Sequence, residues 1–251
     1  MRLLLLAAAL LFAACAAPAP HPVPADPRWL TYDGGDGPGR GKHFVLVAAE
    51  QEYRSEQSMP MLAKVLATHH GFHCTVLFAQ KDGLVDPTQK TRIEDKAVVH
   101  DVPGLEHLAS ADLLILFSRF LTLPKEQLTC VLDYLDSGKP IVALRTANHG
   151  FLGEFPYEVG GKRVRFGEDV LGGTFLGHHG NWHADSTRAY AEPSQRAHPI
   201  LRGVGDVWGP SDVYRTYPVG GSLPAGCTAL LHGQPLVGRQ DPALVDGARR
   251  R

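Results

Sequence analysis

Four short apolar runs, each followed by a polar turn and most then by a helical pattern, constrain this chain more than any other feature. They are His43–Ala49 (HFVLVAA), Phe72–Ala79 (FHCTVLFA), Asp112–Phe117 (DLLILF) and Ile141–Leu144, the last inside the stretch KPIVALRTANHGF. Runs this short, apolar on both faces, read as buried strands of a sheet covered on both sides. The segments between them have helical signals. Met61, Leu62, Val65 and Leu66 recur at helical spacing after a cap at Ser55 or Ser58, with Gly71 as the stop. Pro103 opens a short helix, and Pro124 opens a longer one with Leu128, Val131, Leu132 and Leu135 on one face, ended by Gly138. Strands alternating with helices predict an α/β fold: a parallel sheet with right-handed crossovers and helices on both faces. The polar stretch from Lys81 to Asp101 is then a surface excursion.

Beyond Phe151 the periodicity weakens. Val164–Leu171 reads as a short helix and Gly172–Gly177 as a strand or turn that delivers His178, His179, Asn181, Trp182 and His183. Ser186–Ala191, Ser211–Pro218 and Thr228–His232 read as strands, with a turn and short helix at His198–Gly203. At the other end, Arg2 precedes twelve apolar residues, Leu3–Ala14, too few for a bilayer span of ~20 residues and typical of a signal peptide. The run closes in LFAAC, which resembles a lipobox with Cys15 as the lipid-modified residue; cleavage at a small-residue site nearby is the alternative. Residues 1–15 are thus expected to be a leader, 16–40 a Pro/Ala/Gly-rich tether, and 41–251 the domain. An exported protein is expected, membrane-anchored or periplasmic, touching the membrane only through a lipid anchor. Cys74, Cys130 and Cys227 lack CxxC spacing and are expected to be buried free thiols.

The 25 basic and 26 acidic residues give a net charge of -1 with no basic block, which excludes a nucleic-acid partner and favours a small neutral ligand. In an open α/β sheet such ligands bind beyond the carboxyl ends of the strands. There the chain places Glu50 and Glu52 after the first run, Arg119 after the third, and Arg145, Asn148 and His149 after the fourth. Glutamates and a histidine suit proton transfer. A charge at Arg145 has to face a ligand or a partner, and Glu50 or Glu52 are the expected partners. His178, His179 and His183 are either metal ligands or a polar loop; a divalent metal such as zinc would take a further ligand, His149 or Glu50. No GxSxG occurs, and no cysteine stands at a strand-to-helix turn.

Several of these motifs, in this order, resemble one family. HFVLVAAEQEYRSEQSMPMLAKVLATHHGFHCTVLF, DLLILFSRFLTLP, GKPIVALRTANHGF, LGGTFLGHHGNWH, HPILRGV and DVWGPSDVY are similar to the ThuA-like (trehalose-utilisation) proteins, over about residues 41–237. The resemblance implies a three-layer flavodoxin-like sheet related to class I glutamine amidotransferases. In those enzymes a nucleophilic cysteine follows the strand; here Arg145 stands at that place, so glutamine hydrolysis is not expected. A sugar ligand of the trehalose or keto-sugar class is implied, with the reaction undefined. On this reading Arg145 orients or polarises a sugar oxygen, while His149, Glu50 and Glu52 transfer protons. Arg119, His178, Trp182 and His183 bind substrate, and His149 with His179 would hold any metal. A non-catalytic sugar-binding or scaffolding lipoprotein is the alternative. Relatives continue past GQPLVG, so the end in Asp246–Arg251 is expected to be a truncation.

Overall fold

The computed structural model describes residues 26–152, 155–159, 161–217 and 221–240. The leader with Cys15, the first part of the tether and the expected truncation after residue 240 lie outside them. In chain order the strands and helices are β1 (Leu30–Tyr32), β2 (His43–Ala49), α1 (Ser55–His70), β3 (His73–Phe78), a hairpin of β4 (Gln80–Lys81) and β5 (Leu84–Val85), β6 (Leu113–Ser118), α2 (Lys125–Asp136) and β7 (Ile141–Ala143). The second half adds a hairpin of β8 (Glu158–Val159) and β9 (Lys162–Arg163), then β10 (His178–His179), β11 (Ser186–Ala191), β12 (Val207–Gly209), β13 (Val213–Tyr214) and β14 (Leu231–Leu236).

The protein is α/β, built on a mixed five-stranded sheet of order β1-β3-β2-β6-β7. β2, β3, β6 and β7 are parallel, as the apolar runs predict, but β1 lies antiparallel on the edge of β3. The expectation of an all-parallel sheet is corrected there. β1 also corrects the domain boundary, because packing begins before residue 41. Trp29 belongs to the core beside Gly104, where a Cβ would come within 2.8 Å of the indole. The glycine-rich run is no loose lead-in either: a Cβ at Gly34 would lie 2.2 Å from the Gly71 carbonyl oxygen, and one at Gly39 would lie 2.4 Å from the Phe72 ring. Only a residue without a side chain allows this approach.

Both faces of the sheet are covered. Val45, Val47, Leu114 and Leu116 pack on one side against α2 and the 3-10 helix Leu105–Ser110; Leu46, Ala48, Val76 and Phe117 pack on the other against α1. The core face of α1 is Met59, Ala63 and Ala67, flanked by Leu62 and Leu66, whereas Met61 and Val65 are exposed. α2 buries Val131 and Tyr134, whose hydroxyl accepts from the Leu114 amide at 2.9 Å and donates to the Pro140 carbonyl at 2.6 Å, fixing the entry into β7. The second half forms a three-stranded antiparallel sheet, β12-β11-β14, and a ribbon of β10 with β13. Val164–Leu171 does hold a helical turn, at Phe166–Val170, and the strand expected at Ser211–Pro218 shrinks to Val213–Tyr214.

Candidate active site at the strand ends

Numbered among themselves, the four parallel strands run 2-1-3-4, so the chain reverses direction across the sheet between β2 and β6. The crevice outside the carboxyl ends of strands at such a point is where open α/β sheets bind ligands. The loops there are laced together. The Arg119 amide donates to the Ala49 carbonyl at 3.2 Å and the Phe120 amide to the His149 carbonyl at 2.9 Å. Thr146 Oγ1 donates to the Ser118 carbonyl at 2.8 Å. Phe120 sits in the left-handed region at φ 47°, a conformation a bulky residue adopts only where its surroundings impose it.

The centre of the site is a residue the sequence did not single out. Asp212, just before β13, has a side chain with 0% exposure, and one carboxylate oxygen accepts from His178 Nδ1 at 2.6 Å. The other accepts from Arg145 at 3.1 Å, and the Asp212 carbonyl accepts from the same guanidinium. Arg145 also donates to the Tyr53 hydroxyl at 3.2 Å and lies 3.8 Å from the centre of the Tyr214 ring. Its partner is therefore Asp212, not Glu50 or Glu52. With both terminal nitrogens engaged, its clearest role is to clamp the β10–β13 ribbon to the end of β7. With Nδ1 bonded to the carboxylate, Nε2 is the His178 ring nitrogen that faces away from Asp212.

The glutamates take structural positions. Glu50 is buried at 2% exposure; it accepts from the Tyr53 amide, and its own amide and carbonyl bond the Ser55 hydroxyl at 3.0 and 2.7 Å. Burial raises its carboxyl above the ordinary value. Ser55 thus holds the turn that sets Tyr53 on Arg145, in place of the helix cap expected of it. Glu52 pairs with Arg119 at 2.8 Å.

His149 closes the one-turn helix Ala147–His149 and packs among Phe120, Phe175 and Tyr214, with ring centres 4.7, 4.8 and 5.6 Å away. Burial, then the nearby cations Arg119 and Arg145, push its imidazole down to about 4, so it is neutral at pH 7. His178 touches the same Phe175 and Tyr214, at 5.3 and 5.5 Å, and Trp182 at 5.5 Å. Trp182, 49% exposed, stacks on His183 at 3.9 Å. Alternation along β10 turns His179 outward, away from His178, and it is exposed. Among the described residues no group of three His, Cys, Asp or Glu side chains is placed to hold a metal.

Buried polar atoms without a hydrogen-bond partner among the described residues concentrate here: Glu50 Oε1, Gln51 Nε2, Ser118 Oγ, Arg145 Nε, Asn148 Oδ1 and His149 Nδ1. Such atoms are uncommon in folded proteins and point to missing partners such as ligand or water. Next to the site, a groove of about 700 Å³ runs from Arg145, Asp212 and Tyr214 past Trp208 and Tyr217. Cys74 is buried as expected, whereas Cys227 is exposed. No family model, curated protein or solved structure matches the chain.

Proposed function

We propose that the chain is an exported ThuA-like protein with a flavodoxin-like, class I glutamine amidotransferase-like fold, whose strand-end crevice takes a neutral sugar of the trehalose or keto-sugar class. One observation carries the ligand class: at the strand ends the charges are already paired, while Trp182 keeps about half of its surface in solvent. Arg119 is held by Glu52, and Arg145 and His178 by Asp212. No uncompensated cation among these is left to select a phosphate or carboxylate. The half-exposed ring of Trp182 suits the apolar face of a sugar ring. The 2-1-3-4 order of the parallel strands supports the fold reading. Arg145 in the place of the amidotransferase cysteine speaks against glutamine hydrolysis.

On this reading His178 does the proton chemistry, Asp212 and Arg145 position it, and Trp182 with His183 and Arg119 bound the sugar. Removal of the leader at residues 1–15, or lipidation at Cys15, would deliver the domain to the periplasm or a membrane surface. A non-catalytic sugar-binding lipoprotein is the second reading, favoured by the structural bonds that occupy Glu50, Glu52 and Arg145. Titration of the protein with glucose, fructose and trehalose, followed through tryptophan fluorescence and ligand NMR, tests the ligand class. Saturable binding that Trp182→Ala weakens at unchanged thermal stability is expected. Absence of binding to any of the three removes the sugar reading.

A further inference from the structure

The catalytic chemistry of the crevice can be taken further than its ligand class, on the assumption that the sugar reading holds. A glycosidase of the usual kind needs two carboxyl groups flanking the bond it breaks. Here the glutamates that end β2 do not offer that pair, because Glu50 is buried under the Tyr53 amide and Glu52 is bound to Arg119 at 2.8 Å. Nor do the described cysteines or Ser118 stand with the histidines: Cys74 is sealed between sheet and helix, Cys130 lies on α2, Cys227 lies against Gly172 in the groove, and the Ser118 hydroxyl is buried where a Gly150 Cβ would come within 2.3 Å. Two imidazoles remain. His178 is oriented by a fully buried carboxylate at 2.6 Å, which is the arrangement of a general base. His149, from the loop after β7, touches the same two rings, Phe175 and Tyr214. Its environment holds it neutral, in the state that can donate a hydrogen bond without first losing a proton to solvent.

We propose that these two histidines transfer a proton at the carbon next to a sugar carbonyl, making the site one for isomerisation and not for glycoside hydrolysis. His178 Nε2 takes the proton. The electron pair of the broken C–H bond becomes the C=C bond of an enediolate, and the carbonyl π pair moves onto its oxygen, which accepts a hydrogen bond from His149. His149 gives its N–H proton to that oxygen and takes the hydroxyl proton of the neighbouring carbon, while the His178 imidazolium returns its proton to the carbon that first bore the carbonyl; the carbonyl has then moved by one carbon, and both histidines are back in their starting states. No co-reactant is consumed. Asp212 acts through His178 and is a positioning residue, as is Arg145.

The test is hydrogen exchange in D2O. The full-length protein is incubated with glucose, mannose and fructose, and loss of the proton signal beside the carbonyl is followed by NMR, with binding measured in parallel on the same samples. The expected result is exchange that His178→Gln reduces ~100-fold or more, with unchanged thermal unfolding as the control for folding. Asp212→Asn is expected to lower the rate and displace its pH profile, which a purely structural role would not do. Binding without exchange overturns the proton-transfer proposal and leaves the sugar site standing. Failure of these three and of trehalose to bind removes the sugar reading and the proposal with it. Exchange that survives His178→Gln in full also overturns the assignment.

Discussion

Replacing Asp212 by Asn keeps the shape of the side chain and removes the charge that joins β13 to β7 and β10. The carboxylate has 0% exposure and serves Arg145 at 3.1 Å and His178 at 2.6 Å. Breaking a buried pair by removing one partner costs about 3–5 kcal/mol, because the other charge is left without compensation. Arg145 keeps 26% of its side chain in solvent, so part of that penalty is relieved and about 2–3 kcal/mol is expected. For a chain of this size each kcal/mol lowers Tm by about 2–4 °C, giving a loss of roughly 4–12 °C. Urea denaturation and calorimetry measure it directly. The internal control is Asp36→Asn, whose pair with Arg40 at 2.8 Å is exposed on both sides; a change of about 0–1 kcal/mol is expected there. Equal losses for the two substitutions would refute the reasoning, since burial of Asp212 is what separates them.

The same structure makes further predictions. Leu46→Ala, at a fully buried position in the central strand, is expected to cost about 2–5 kcal/mol, read as a lower urea midpoint with unchanged slope. Gly150→Ala is expected to cost about 1–3 kcal/mol through overpacking against the Ser118 hydroxyl at 2.3 Å, and adding Ser118→Ala is expected to recover part of the loss. Stability is expected to fall in acid. Burial, then His73 and His107, push His43 down to about 4, so below about 6.5 the unfolded chain binds a proton that the folded chain refuses. The contribution is complete above that pH and is lost progressively as pH falls towards about 4. Denaturation curves across this window check it, and His43→Gln is expected to flatten the slope.

What the sequence made legible follows from where each bond closes. Strands β2, β3 and β6 are buried on both faces, so their apolar runs mark them directly, and the glycine and proline stops mark the intervening helices. β1 offered no such run: its pairing with β3 rests on register across more than forty residues, and its glycine-rich follower reads as loop although it packs tightly on His70–Phe72. Glu50, Arg145 and His149 were legible as strand-end residues because the position alone places them at the crevice. Their roles were not. Arg145 bonds Asp212, 67 residues away, and the strands that bring the two together are only two residues long. The single available signal was an acidic residue opening a short aromatic strand at Ser211–Tyr214, which without a partner in view reads as an ordinary turn.

The most direct measurement is nitrogen-15 NMR of His178 in the full-length protein during titration with glucose or fructose, with His43 at the amino end of β2 as the reference. The account predicts a His178 Nδ1 that carries a proton shared with Asp212, and a shift of the Nε2 resonance on sugar addition while the His43 resonances stay in place. A His178 protonated on Nε2, or resonances of His178 and His43 that respond alike, would contradict it.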